Sequence, residues 1–164
     1  MLVQMTPAET VIALTLAVMR NTTARQHNVA DKQMGKQDPI EIDRDGLLAE
    51  MAFGKKNNLY PDFTIGPRQG GADLITHNGL TIDVKATRYK TGRLVIHSAK
   101  QIKDADLYVL GIVSDNAVDL VGYIKAIDAL KEENIGDLGH GKGYLIEQSR
   151  LTKFKTERAE DGNP

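Results

Sequence analysis

The sequence predicts an α/β domain, of the α+β kind in which a mixed β-sheet is flanked by helices. Three observations predict it. Two helices near the start of the chain carry capping signals. A segment around Asn78-Gly79 has the alternation of a β-hairpin. The run 106–113, Asp-Leu-Tyr-Val-Leu-Gly-Ile-Val, reads as a central strand buried on both faces, which requires structure on either side of the sheet.

The elements follow in order. Thr6-Pro7-Ala8-Glu9 is a helix start, with Thr as N-cap, Pro at the first helical position and Glu reaching back. This helix spans about 6–25. Its nearly continuous apolar content predicts deep burial or a subunit contact. Residues 26–37 are polar and read as a loop. Asp38-Pro39-Ile40-Glu41 repeats the capping signal and starts a second helix running to about Lys56. At about 100° per residue, Glu50 falls about 60° from Leu47, on the edge of the inward face. Residues 59–66 are a first strand candidate, interrupted by Pro61.

Segments 72–76 and 80–86 form the hairpin, and 94–97 is a further short strand. A helical segment spans about 98–104. Strand 106–113 pairs with 117–124 across Ser114-Asp115-Asn116, a helix covers 125–133, and the last strand is 144–148. Gly136 to Gly143 nearly spells a phosphate-binding loop. Gly follows its Lys where Ser or Thr is needed, and the strand and helix around it are reversed, so it reads as a mobile loop rather than an ATP site. Residues 1–151 are expected to form one domain, and the charged segment 152–164 a frayed tail.

Composition narrows the function classes. There is no cysteine, which excludes disulfides, thiolate zinc and a Cys nucleophile and fits a reducing cytoplasm. No signal peptide is evident, and the apolar stretch Val11 to Met19 is about half of what a bilayer span needs. The expected setting is therefore cytoplasmic, away from membranes. Net charge is −1, which argues against a protein that merely coats nucleic acid. Only 5% of residues are aromatic and none is tryptophan, so a base-stacking platform is not expected. The four histidines show no ligand spacing.

The hairpin carries the chemistry. A two-residue turn at Asn78-Gly79 would pair Asp73 with Val84 and mix polar and apolar residues on each face. A three-residue loop, His77-Asn78-Gly79 with Gly79 left-handed, pairs Leu74 with Ile82 and separates the faces. This register is selected by its pattern. It also sets Asp73 opposite Asp83. Facing carboxylates repel, and their burial is costly. A bound Mg²⁺ or Mn²⁺ relieves the repulsion, since hard cations take oxygen ligands and retain waters. Asp73, Asp83 and the Val84 backbone carbonyl are the predicted donors. Lys85 projects beside Asp83, where it can meet a phosphate oxygen or an attacking water.

Asp73 followed by Asp83-Val84-Lys85 closely resembles the PD-(D/E)XK nuclease superfamily, the restriction-endonuclease-like fold. The resemblance spans roughly 40–130, and phage and mobile-element nucleases include members of this size. It implies a mixed sheet flanked by helices, with Asp73 as first acid and Asp83 and Lys85 as the second motif. It implies that Glu50 is the helix acid completing the metal site. Pro61-Asp62 spells the motif literally, but Asp62 does not lie on the strand that pairs with 80–86, and Asp73 is preferred.

The activity implied is metal-dependent hydrolysis of phosphodiester bonds, in DNA foremost, with Glu50, Asp73, Asp83 and Lys85 catalytic. Arg68, Arg88, Lys90, Arg93 and Lys100 surround the acids in sequence and are candidate phosphate contacts. Gln101 occupies a position that meets the site in some members. A homodimer through helix 6–25 is compatible with this reading. The rival readings are a catalytically silent nucleic-acid-binding or assembly protein on the same fold, and a metal-dependent phosphodiesterase of small molecules.

Overall fold

The structure is a computed structural model and describes residues 1–27, 38–66, 71–137, 139 and 141–155. Its strands are β1 (Leu2–Gln4), β2 (Leu74–Ile75), β3 (Thr81–Thr87), β4 (Leu94–His97), β5 (Leu107–Ser114), β6 (Ala117–Lys125), β7 (Ile135–Asp137) and β8 (Lys142–Ile146). Its helices are α1 (Pro7–Gln26), α2 (Pro39–Asn57) and α3 (Ala126–Ala129). A five-stranded sheet runs in the order β1-β6-β5-β3-β2, and a three-stranded sheet runs β4-β8-β7. Among the described residues, only β3 and β5 pair in parallel and the other strand pairings are antiparallel. The class is therefore mixed α+β.

The larger sheet separates two cores. Alternate residues of β3 and β5, among them Ile82, Val84 and Val109, face α2 together with Leu47, Leu48 and Ala52. The other face of β5, Tyr108 and Leu110, joins Leu94 and Ile96 of β4 and Ile146 of β8. Central strand β5 is thus covered on both sides, as its composition requires. Helix α2 approaches it closely because Gly111 has no side chain: a Cβ there would lie 3.1 Å from the Ala49 Cβ. That approach seats Glu50 beside the sheet.

Both long helices begin as their caps predict. Thr6 accepts from Glu9 N–H while the Glu9 carboxylate accepts from Thr6 N–H. Asp38 accepts from Ile40 N–H. Helix α2 ends on Asn58 in the left-handed region. Deep burial of α1 does not follow: its buried residues are Ala13, Ala17 and Arg20, while Val11, Ile12, Leu14, Val18 and Met19 are exposed. No helix among the described residues is long and apolar enough to cross a membrane.

Several elements differ from expectation. Residues 59–66 form no strand; their conformation is fixed by single contacts, Leu59 N–H to Gly54 O and Asp62 N–H to Asp73 O. The segment 98–104 is reduced to one 3₁₀ turn, Ile102–Asp104. The helix expected over 125–133 is the short α3 followed by a 3₁₀ turn, Glu132–Asn134. The glycine-rich segment contributes β7 and the start of β8, whose pairing Gly136↔Gly143 needs no side chains. Of that segment, Leu138 and His140 lie outside the described residues. Strand β1 was not expected; its backbone completes the edge of β6.

Order also extends beyond residue 151. Thr152 bridges Tyr123, and the Phe154 ring lies between those of Phe53 and Tyr123 at 6.0 and 5.4 Å. Residues 152–155 of the expected tail are therefore ordered, because Phe154 offers apolar area to α2 and β6, and residues 156–164 lie outside the described residues.

Candidate active site

The hairpin adopts the three-residue loop. Leu74 pairs with Ile82, Ile75 with Thr81, and Thr76 N–H bonds Leu80 O. Gly79, at φ 86°, supplies the left-handed residue that closes the loop. Beside the loop, Asp106 accepts from the Thr81 N–H and hydroxyl at 2.8 and 2.7 Å, fixing β3 against β5.

Asp73 does not stand opposite Asp83. Its N–H bonds Ile82 O at 2.8 Å, although Leu74 is the partner of Ile82. Two successive residues thus face one, the count of a β-bulge, which re-aims the side chain. The Asp73 carboxylate turns into the plane of the sheet and accepts from Val84 N–H at 2.8 Å. The N–H and C=O of a strand residue point to the same side, so the Val84 carbonyl also faces this edge. By the same alternation the Asp83 carbonyl points toward β5.

Asp83 lies on the face of Tyr108, at 2% exposure. Burial of an anion at that depth requires partners. Two lysines supply them: Lys85 Nζ is 2.5 Å from Oδ1 and Lys100 Nζ is 2.9 Å from Oδ2. Two lysines therefore balance the Asp83 charge. Lys100 follows β4 and reaches back to the strand it was expected only to flank. The neighbouring Tyr108 hydroxyl is buried without a hydrogen-bond partner among the described residues. Burial pushes its pKa well above the ordinary range, and the Asp83 charge adds to this, so it remains a neutral phenol.

Beyond Ile82 no described strand pairs with the outer edge of β3, and a cleft of about 930 Å³ opens there. Asp73, Val84 and Lys85 line it from the strand side and Glu50 from α2. Glu50 is buried and stands 3.8 Å from the Arg20 guanidinium. Arg20 also donates to Thr64 O and Asp62 O, so one α1 side chain ties Glu50 to the 59–66 segment. Asp62 itself turns its carboxylate to Thr64 N–H at 2.9 Å.

Nearer the mouth, Asp45 of α2 is 8% exposed and accepts from two arginines, Arg44 and Arg88. Burial pushes the Asp45 carboxyl above its ordinary pKa, and the Arg44 guanidinium pulls it back.

The remaining candidates divide. Lys90 is exposed and is held by its carbonyl, which accepts from the Gln148 amide. Gln101 is exposed, with its N–H on Asp104. Arg93 lines the cleft and pairs with Glu147 at 2.7 Å. Arg68 lies outside the described residues. Arg20 and Asp45 were missed as site residues. Arg20 had a signal: it is the lone charge in 10–24 and falls in phase with Ala13 and Ala17.

Asp73, Asp83 and the Val84 carbonyl are oxygen donors of the kind a hard cation takes. Among the described residues no three His, Cys, Asp or Glu side chains stand close enough to share an ion. Glu50 is accordingly placed on the cleft wall, with no third-acid cluster around it. No protein-family model matches the chain, and no curated protein matches it either.

Proposed function

We propose that this protein is a metal-dependent phosphodiesterase acting on nucleic acid, DNA foremost, built on a restriction-endonuclease-like core. One observation carries the reading: the Asp73 carboxylate is fixed on the Val84 N–H, beside Asp83-Val84-Lys85, at an unpaired strand edge that opens into a cleft. The parallel β3–β5 pair inside an otherwise antiparallel sheet, with α2 against it, supports the fold assignment.

In this reading Asp73, Asp83 and the Val84 carbonyl hold Mg²⁺ or Mn²⁺, with Glu50 orienting water at the cleft wall. When bound, such a cation supplies Lewis-acid polarisation of the phosphate and a more acidic water. Lys85, about a third exposed, exchanges Asp83 for a phosphate oxygen and offsets charge that builds during in-line attack. Asp73 needs no rearrangement, because the backbone already orients it.

A second reading is favoured by a different observation. Lys85 and Lys100 both pair with Asp83, and an ion-paired aspartate suits a catalytically silent nucleic-acid-binding protein on this fold. Calorimetry with Mn²⁺ and a plasmid-cleavage assay, on wild type and Asp83→Ala, separate the two. The nuclease reading predicts saturable Mn²⁺ binding and cleavage, both lost in Asp83→Ala. DNA binding without either supports the silent protein, and hydrolysis of small phosphodiesters alone supports a small-molecule enzyme. A homodimer through the exposed apolar side of α1 belongs to the same proposal. Sedimentation equilibrium of wild type against Leu14→Glu tests it, with a shift to monomer in the variant as the expected result.

A further inference from the structure

We infer that Asp45 is a positioning residue that holds the Arg88 guanidinium at the mouth of the cleft as a clamp for a backbone phosphate. This rests on the nuclease reading for the identity of the polyanion. The geometry is independent of the metal donors.

Asp45 Oδ2 accepts from Arg88 Nε at 2.5 Å, and Oδ1 accepts from Arg88 Nη2 at 3.1 Å. Two parallel bonds of this kind fix the plane of a guanidinium as well as its position. Arg44 donates to Oδ1 from Nε at 3.2 Å and Nη2 at 2.9 Å, so Asp45 is locked from its own helix as well. The side chain of Arg88 remains about half exposed, at 47%. Using Nε and Nη2 on Asp45 leaves the Nη1 side of the fork directed away from the carboxylate.

Arg88 comes three residues after Lys85, just past the end of β3, so it lies along the same strand edge as the candidate site. A buried carboxylate held by two arginines adds little net stability relative to an apolar contact. Its placement at a cleft mouth is accounted for by orientation. Arginine is the side chain suited to planar recognition of phosphate, and a guanidinium held in advance loses less freedom on binding. The cleft also carries Glu41, Asp43 and Glu50 on its helix wall. A polyanion is therefore directed to the strand side, where Arg88 and Lys85 stand.

The test is equilibrium binding of fluorescein-labelled duplex, single-stranded and branched oligonucleotides in EDTA, across a salt series. The variants are Arg88→Gln, Asp45→Asn and Asp45→Glu, each checked by thermal unfolding. One lost phosphate contact reduces the slope of log K against log salt by about 1. Arg88→Gln and Asp45→Asn should each show that reduction with affinity about tenfold lower, and Asp45→Glu should recover most of it. In cleavage assays KM should rise more than kcat falls. Arg88 is exposed, so Arg88→Gln remains informative if Asp45→Asn unfolds. Wild-type slopes in a folded Arg88→Gln, or a slope lost in Arg88→Gln and retained in a folded Asp45→Asn, overturn the inference and leave the nuclease reading intact. Absence of wild-type binding to every oligonucleotide, both in EDTA and in Ca²⁺, overturns both.

Discussion

Asp83 and Asp45 are both buried carboxylates, and each is held by two basic side chains, but the two clusters differ in kind. Asp83 sits within a β-strand and meets lysines, Lys85 and Lys100. Asp45 sits on a helix and meets arginines, Arg44 and Arg88. A lysine is a flexible point charge that reaches water through its stem, whereas an arginine fork locks direction. The Asp83 cluster is therefore suited to exchange, with lysines leaving as another cation arrives. The Asp45 cluster is suited to staying as it is.

Asp83→Ala gives the largest expected effect on this contrast. Cleavage falls by at least on the order of 10³-fold, since a ligand acting at the reacting phosphate is lost. Circular dichroism should report a folded protein, because both freed lysines can reach solvent.

Lys85→Ala ranks next, with a loss on the order of 10²-fold or more in kcat. Mn²⁺ affinity by calorimetry should hold or improve, since a competitor for Asp83 has gone. Lys100→Met should likewise tighten Mn²⁺ several-fold, with a smaller effect on cleavage; weaker Mn²⁺ binding would remove the idea of exchange. Smallest is the stability change in Asp45→Asn. Its partners are partly exposed, so chemical denaturation should register about 1 kcal/mol or less. A loss well above that would recast the Asp45 cluster as structural.

Much of this contrast was hidden in the sequence, for physical reasons. The hairpin was legible because register follows from apolar alternation, and only one loop length satisfied it. Helix α2 was legible from its cap and periodicity, and the side of Glu50 followed. The bulge at Asp73 was not, since one extra residue leaves no mark in composition. Nor was Lys100, whose contact with Asp83 depends on how β4 folds back. Asp45 lies about 160° from Leu47 around the helix, on a side that periodicity assigns to solvent; its burial comes from Arg88 on another element. Helix α1 misled in the opposite sense. Its apolar residues outnumber the positions that α2 covers, and most remain outside.

A metal-dependent site at the β3 edge requires Asp73 and Asp83, offset by the bulge, to serve one ion. Anomalous diffraction from crystals soaked in Mn²⁺ tests it most directly. The expected result is a single peak in direct contact with both carboxylates and the Val84 carbonyl, at about 2.0–2.2 Å as hard-cation coordination requires, with Lys100 withdrawn from Asp83. No peak at that edge, or one held by other acids while Lys85 and Lys100 stay on Asp83, would contradict it.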